Sequence, residues 1–182
     1  MNPQQVTMII FTDASTSPQM KIAVGAFLCI DKKNMTEYTE YSIKTLSTKL
    51  SNKIVYTEYK SKKSTWSEIK TAINALHFVR KNFGTDLKIE LYTDCQSFCD
   101  LMGERKEKLK KNNFITRTGK VLQNAALYQE LFEITEKIEI QIFKVKGHHA
   151  ATHLLTLQEK IFVVLDKLSR KKLRETLKPI NP

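Results

Sequence analysis

The chain has 182 residues, of which 41% are hydrophobic, and its 5 glycines and 4 prolines exclude collagen-like and low-complexity classes. This length and composition predict one soluble globular domain spanning residues 1–182. A net charge of +11 favours a polyanionic partner with a phosphate backbone. The sequence contains no apolar run of membrane-spanning length and no signal peptide, so we expect a cytoplasmic monomer that does not bind membranes.

Three predicted strands open the chain. Residues 6–12, 22–30 and 35–43 are rich in β-branched and aromatic side chains. Short connections between them predict an antiparallel meander.

Helices and strands alternate after this meander. Apolar residues at helical spacing predict a helix at 64–83, with Ser64 or Thr65 as its N-cap and Gly84 at its end. The remaining predicted elements are a strand at 87–93, a short helix from about Asp94, a helix at 119–137, a strand at 138–145 and a helix at about 156–177. This order predicts a mixed sheet with helices on both faces.

Basic residues are concentrated in three segments. Residues 104–120 contain seven Lys or Arg and two Glu, residues 167–178 contain six and one, and residues 44–63 contain six and one. Each segment alone could be an ordinary solvated surface. Together they make the acidic residues at the ends of two predicted strands conspicuous.

Those two predicted strands end in nearly the same sequence motif, Phe-Thr-Asp at 11–13 and Tyr-Thr-Asp at 92–94. One aspartate at the end of a strand can be a helix N-cap and nothing more. In open α/β sheets, however, functional residues gather beyond the carboxyl ends of the strands. The predicted fold therefore gives Asp13 and Asp94 a place to meet.

Six segments resemble the type 1 ribonuclease H family, in the family's order and over nearly the whole chain. FTDAS with VGAFL resembles its first hairpin, SEIKTAINAL its first long helix, and LYTDCQSF its Thr-Asp-Ser-Gln turn. NAALYQEL resembles its Asn-x-x-Leu-Trp helix, FKVKGHHA its Trp-Val-Lys-Gly-His segment, and LDKLSRKKLR its final Asp-x-Leu-Ala helix. The resemblance implies an α/β fold: a five-stranded mixed sheet, with its first three strands antiparallel, and helices on both faces.

The resemblance also implies a set of four carboxylates, which here are Asp13, Glu68, Asp94 and Asp166. These would hold two Mg²⁺ ions, with Mn²⁺ as a substitute, because Mg²⁺ prefers carboxylate and phosphate oxygens. Simpler interpretations remain open: both strand-end aspartates as caps, Glu68 as a first-turn glutamate that the helix dipole favours, and Asp166 as a surface acid. Glu58 is a poorer rival to Glu68 because no helical run follows it.

A loop histidine completes the implied catalytic group. His148 matches the family histidine that is implicated in proton transfer or product release, and an imidazole can carry a proton near neutral pH. His149 could take over this duty, or neither histidine could have a role. A zinc site at His149 and His153 is disfavoured because cysteines and the usual ligand spacing are lacking.

Substrate contacts are implied by further matches. Gln96 occupies the position of a polar residue that touches the minor groove, and Asn124 that of an asparagine associated with the DNA backbone. Ser15, Ser64 and Thr65 are weaker candidates for reading the 2′-hydroxyl of RNA.

The basic segment 104–120 resembles a shortened form of the family's basic protrusion, which grips the duplex. Its candidate substrate-binding residues are Lys108, Lys110 and Lys111. As ordinary exposed charge, the same segment would only aid solubility.

The implied function is metal-dependent hydrolysis of the RNA strand of RNA–DNA hybrids, leaving 5′-phosphate and 3′-hydroxyl ends. Two alternatives share the fold: a catalytically inactive nucleic-acid-binding module and a nuclease that acts on DNA junctions. All four acids are present, which favours an enzyme. The sequence departs from the family at Ala14, where glycine is usual, and in the long stretch between His148 and Asp166.

Overall fold

The computed structural model describes residues 6–61, 63–146 and 155–178, which form a five-stranded sheet flanked by helices. Its strands are β1 (Val6–Ser17), β2 (Ile22–Asp31), β3 (Val55–Tyr59), β4 (Leu87–Thr93) and β5 (Glu139–Lys144). Its α-helices are α1 (Ile43–Leu50), α2 (Ser64–Phe83), α3 (Gln96–Met102), α4 (Glu104–Lys111), α5 (Ala125–Thr135) and α6 (Leu157–Thr176). Within these described ranges, no helix combines the length and apolarity needed to cross a membrane.

The strand order across the sheet is β3-β2-β1-β4-β5. β1, β2 and β3 pair antiparallel, whereas β4 is parallel to both β1 and β5. This arrangement confirms the predicted fold class of a five-stranded mixed sheet with an antiparallel first half.

Alternate side chains of the central strand β1 enter two different cores. Met8 and Ile10 pack with residues of α2, α3 and α5, whereas Ile9 and Phe11 pack with residues of α1 and α6. Successive side chains of a strand point to opposite faces of the sheet, so a strand covered on both faces must be apolar throughout. The run Met-Ile-Ile-Phe meets this need, and it places helices on both faces as predicted.

The strand predicted at 35–43 is wrong. Lys32–Tyr38 forms a 3₁₀ helix and Ile43–Leu50 forms α1, whereas the third strand of the sheet lies later, at Val55–Tyr59. Tyr38 is buried with the side chains of α1 and α6 rather than lying on a strand face. The aromatic residues that suggested a strand belong instead to a helical connection that covers one face of the sheet.

Several other boundaries agree with the prediction. The helix at 64–83 and the strand at 87–93 are confirmed at both ends, and the last helix, predicted from about 156 to 177, runs over Leu157–Thr176. Lys63, rather than Ser64 or Thr65, occupies the N-cap position of α2.

Two segments after β4 differ from the prediction. The helix predicted at 119–137 is confined to Ala125–Thr135. The basic segment, which carries little apolar patterning, begins with the helix Glu104–Lys111.

A close approach between β2 and α2 depends on Gly25. A Cβ added there would overlap Oγ1 of Thr71 and lie 2.8 Å from Cε2 of Tyr59. Thr71 is one helical turn beyond Glu68 on α2, so this contact also sets how closely Glu68 approaches the sheet.

We expect Gly25→Ala to lower the free energy of unfolding by about 1–3 kcal/mol, because an overpacked core forces backbone shifts. Chemical denaturation monitored by circular dichroism would measure this change. Gly103→Ala is the matched control, since the nearest atom to its added Cβ would be the backbone oxygen of Cys99, at an ordinary contact distance of 3.6 Å. Equal stability of the wild type and Gly25→Ala would contradict the close approach.

Candidate active site

Asp13 and Asp94 come together because each follows a paired residue on one of two neighbouring parallel strands. Phe11 on β1 pairs with Tyr92 on β4, and each aspartate lies two residues further along the chain. Asp94 directly follows β4, whereas Asp13 lies within β1, which continues to Ser17 rather than ending at residue 12 as predicted. The carboxyl ends of parallel strands lie at the same edge of a sheet. The repeated Thr-Asp wording therefore corresponds to two carboxylates at one edge.

Glu68 reaches this edge from α2. The registered pairing of β1 with β4 stops at Phe11, so the β1 backbone beyond it has no β4 partner. In that region the backbone amide of Ala14 donates a hydrogen bond to the carboxylate of Glu68. One oxygen each of Asp13, Glu68 and Asp94 then lies within 4.8 Å of the others.

Asp166 lies beside this group but outside it. Its Oδ1 accepts from Nη2 of Arg170, one turn later on α6, at 2.7 Å. Its charge nevertheless raises the pKa of both Asp13 and Glu68, so it is an electrostatic neighbour of the cluster. The structure thus brings three of the four predicted carboxylates into one group and places the fourth next to it.

Burial and repulsion by neighbouring acids disfavour the charged forms of Asp13 and Glu68 by raising the pKa of each. Burial raises the pKa of Asp13 to about 7, with further upward contributions from Asp166 and Asp94, against the hydrogen bond from Ser169. Burial, with the charges of Asp13 and Asp94, also raises the pKa of Glu68 well above its usual range. Because of these raised pKa values, Asp13 and Glu68 retain protons, in the absence of a cation, at a pH at which exposed carboxyl groups are fully ionised.

The donor set fits a divalent metal ion. Oε2 of Glu68 is buried and has no hydrogen-bond partner among residues 6–61, 63–146 and 155–178. A buried polar atom without a partner is costly, and a carboxylate oxygen is the ligand type that hard divalent cations prefer. A bound cation would satisfy this oxygen and relieve the repulsion among the three acids.

Comparison with known proteins identifies the family to which the chain belongs. The family model for RNase H matches residues 5–156. The chain belongs to the RNase H family. A curated ribonuclease H from Caldanaerobacter subterraneus subsp. tengcongensis is 32% identical over 82 residues, which are 44% of this chain and 51% of that protein. The alignment thus spans about half the length of this relative.

Solved structures of RNase H proteins share the fold. The solution structure of the PFV RNase H domain has a TM-score of 0.65 at 18% identity, covering 92% of this chain and 94% of that one. LC11-RNase H1, solved in complex with an RNA/DNA hybrid, has a TM-score of 0.59 at 14% identity, covering 94% and 99%. LC9-RNase H1, described as a type 1 RNase H with the type 2 active-site motif, has a TM-score of 0.63 at 14% identity, covering 92% and 72%.

In this RNase H chain, the predicted substrate residues of α2 and α5 lie at neighbouring helix starts. Ser64 and Thr65 open α2, and Asn124 directly precedes α5. Nζ of Lys63 donates to Oε1 of Gln123 and so links the two helix starts. Their contact with substrate stays a prediction.

Gln96 and Ser15 are engaged by other side chains. Nε2 of Gln96 donates to Asp100 at 2.7 Å, and its Oε1 accepts from Lys144. Oγ of Ser15 lies 2.9 Å from Oγ of Ser169 on α6. A role in substrate binding stays a prediction for both residues. A substrate that bound to either side chain would have to compete with these existing contacts.

The three predicted lysines of the basic segment differ in their surroundings. Lys110 forms an ion pair with Glu136, and Lys108 lies 3.9 Å from Glu104, one turn earlier on α4. Lys111 is exposed and makes no ion pair with the described part of the chain. Lys108 and Lys111 are therefore the more available of the three for binding a phosphate.

The three loop histidines, His148, His149 and His153, lie outside the described residues. The role of His148 therefore stays a prediction from the sequence, and so does the absence of a zinc site at His149 and His153.

Two residues at the cluster are absent from the sequence-based set: Ser169, which donates to Oδ2 of Asp13, and Arg170, which binds Asp166. Both follow Asp166 on α6 at spacings of three and four residues, which share one face of a helix. This spacing is a signal that the sequence contains. It points to Ser169 and Arg170 only once the helix face that carries Asp166 is known to pack against Asp13.

The raised pKa of Asp13 predicts how stability depends on pH without metal. An unfolded aspartate has a pKa of about 3.9, so between that pH and about 7 the folded state binds more protons than the unfolded state. The metal-free protein should therefore lose stability as pH rises from 4 to 7, by on the order of 4 kcal/mol from Asp13 if its full shift is expressed.

Thermal unfolding in EDTA across this pH range would measure the loss. Asp13→Asn should flatten the profile, because an amide does not ionise. At pH 8, a divalent cation that binds this site should stabilise the wild type by about 2.7 kcal/mol at about 100 times its Kd. A wild-type profile that rises from pH 4 to 7 would contradict the buried, crowded carboxyl group.

Proposed function

We propose that this protein is a metal-dependent endonuclease that hydrolyses the RNA strand of RNA–DNA hybrids. The observation that carries the proposal is the group of Asp13, Glu68 and Asp94, whose carboxylate oxygens lie within 4.8 Å of one another. Membership of the RNase H family supports it. The hybrid bound by the structurally similar LC11-RNase H1 suggests the substrate.

In this proposal, the three clustered carboxylates and Asp166 are ligands of two Mg²⁺ ions, with Mn²⁺ as a substitute. Such ions, when bound, supply an activated water and charge stabilisation for an in-line displacement at phosphorus, which leaves 5′-phosphate and 3′-hydroxyl ends. Glu68 offers its unpartnered Oε2 as a ligand. Asp166 would have to exchange its partner Arg170 for a metal ion.

The proposed reaction requires the clustered acids in their ionised form. Ligand carboxylates must be ionised, whereas the pKa of Asp13 is raised to about 7 in the metal-free protein. Metal binding at neutral pH should therefore release protons and weaken as pH falls. His148 is the proposed group for moving a proton at the leaving oxygen or for product release.

Basic side chains would hold the duplex around this site. Lys108, Lys110 and Lys111 would bind phosphates, and Gln96 would face the minor groove. The exposed positive charge of α4 supports this assignment, because salt-dependent phosphate contacts provide most of the sequence-independent affinity for nucleic acids. We further propose that residues 1–182 act as one domain, in a cytoplasmic monomer.

Cleavage of a hybrid with one labelled RNA strand tests the proposal directly. We expect cutting of that RNA with Mg²⁺ or Mn²⁺ and none in EDTA, with RNA–RNA and DNA–DNA duplexes left intact. Asp94→Asn and Glu68→Gln should each lower kcat/KM by more than about 100-fold, since even partners outside the ligand shell are worth about 10–100-fold.

Glu58→Gln is the matched control for these variants. Glu58 is an exposed acid on β3 whose Oε1 accepts from Thr176 at 2.8 Å, so its loss should leave activity unchanged. Tight hybrid binding without any cleavage would replace the proposal with a non-catalytic binding module. Cutting of a four-way DNA junction in preference to the hybrid would replace it with a junction nuclease.

The role of α4 has a separate test in the salt dependence of binding. Lys108→Ala/Lys111→Ala should weaken binding of a hybrid to the Asp94→Asn protein. It should also reduce the slope of log K against log salt by about 2, one per lost phosphate contact. Fluorescence anisotropy at several salt concentrations would measure both quantities.

Lys81→Ala/Lys137→Ala removes the same charge elsewhere and serves as its control. Lys81 is in the last turn of α2 and Lys137 precedes β5, at the end of the sheet opposite Asp13 and Asp94. Equal slopes for the two double variants would show that α4 has no special part in binding.

A further inference from the structure

A serine on α6 contacts the first carboxylate of the cluster. Ser169 is fully buried, and its Oγ donates a hydrogen bond to Oδ2 of Asp13, which is itself buried. In the final-helix pattern Asp-x-Leu-Ala that this segment resembles, the corresponding position is alanine. The hydroxyl is therefore an addition in this chain, at a position where a side chain without an oxygen also fits the pattern.

The hydroxyl of Ser169 is held in turn by a second serine. Oγ of Ser15 lies 2.9 Å away, and the backbone oxygen of Asp166 lies 3.0 Å away. A hydroxyl has one proton to donate, and a carboxylate is a stronger acceptor than a carbonyl or another hydroxyl. Ser169 therefore donates to Asp13, and Ser15 donates to Ser169.

This chain of hydrogen bonds restrains the rotation of the Asp13 carboxylate. The terminal torsion of an aspartate has a broad energy well, so the rotamer alone does not decide which way the two oxygens face. Binding of Oδ2 by Ser169 fixes the plane of the carboxylate relative to Glu68 and Asp94. Such restraint favours metal binding, because less freedom is lost when the ligands close on an ion.

The position of Ser169 on α6 extends the effect to the fourth acid. Asp166 lies three residues before it, and residues at this spacing share one face of a helix. The bond from Ser169 to Asp13 therefore ties the Asp166 face of α6 to the end of β1. One hydroxyl group relates the position of Asp166 to that of the other three carboxylates.

We propose that Ser169, held by Ser15, is a positioning residue that orients Asp13 for divalent metal binding. This inference rests on the proposed function, in which Asp13 is a metal ligand. Ser169 itself touches neither metal nor substrate.

Calorimetric titration of the full chain with Mn²⁺, without nucleic acid, tests the inference by a readout other than activity. Ser169→Ala should weaken Mn²⁺ binding by about 10-fold, the lower end of the range for partners of metal ligands. In hybrid cleavage it should raise the Mg²⁺ concentration for half-maximal rate by a similar factor. At saturating Mg²⁺, kcat and the KM for the hybrid should be close to those of the wild type.

Two further variants separate positioning from a merely structural role. Thr135→Val removes another buried hydroxyl, which donates to the backbone of Leu131 on α5 at 2.9 Å, and it should leave Mn²⁺ affinity unchanged. Ser15→Ala should weaken Mn²⁺ binding less than Ser169→Ala. The two serine substitutions should be non-additive in the double variant, because Ser15 acts through Ser169.

The result for Asp94→Asn in the same titration distinguishes the two possible failures. If Asp94→Asn abolishes Mn²⁺ binding while Ser169→Ala binds within twofold of the wild type, the inference is overturned and the proposed site stands. Full additivity of the Ser15 and Ser169 substitutions would overturn the relay between them. If Asp94→Asn binds Mn²⁺ as the wild type does, the proposed metal site fails, and the role of Ser169 fails with it.

Discussion

Repulsion among three closely spaced carboxylates, one buried and two half-buried, is the constraint around which this part of the sheet is organised. Three acids whose oxygens lie within 4.8 Å of one another cannot all be charged without compensation. The fold nevertheless holds them together through elements that are fixed by large apolar cores on both faces of the sheet. The free energy of core packing thus maintains a site that is electrostatically unfavourable until a cation is bound.

The elements that carry the site approach it from different directions. β1 and β4 supply Asp13 and Asp94 from within the sheet, α2 supplies Glu68 from one face, and α6 brings Asp166 from the other. The site therefore depends on the distance of each helix from the sheet. Gly25 sets this distance for α2, and the hydrogen bond of Ser169 sets it for the relevant turn of α6.

The sequence was informative where local pattern and tertiary structure agree. The repeated Thr-Asp ending predicted that Asp13 and Asp94 meet, because parallel pairing is implied by alternating strands and helices. The strand predicted at 35–43 is wrong because Tyr38 is buried, and Tyr41 half-buried, in a core shared with the distant helix α6, which a local pattern does not reveal. Family resemblance, rather than periodicity, suggested Glu68 and Asp166 as metal ligands, and the structure places Glu68 in the cluster and Asp166 beside it.

Ser169 illustrates a limit of a different kind. In the sequence it is one polar residue within a basic helix, and nothing nearby distinguishes it from the exposed residues around it. Its burial and its partner become apparent only once α6 is packed against β1. The same reasoning applies to the pairing of Asp166 with Arg170, whose spacing is common on any charged helix surface.

The bond between Asp13 and Ser169 joins residues 156 positions apart, and this separation bears on the order of folding. Contacts between residues far apart in sequence tend to form late, because closing a long loop costs conformational entropy before the contact contributes any favourable free energy. During synthesis, β1 emerges long before α6, so the sheet and α2 can assemble while Asp13 still lacks its partner. Docking of α6, which adds Ser169 and Asp166 to the surroundings of Asp13, is then one of the last steps in folding, after Asp13, Glu68 and Asp94 have all been synthesised.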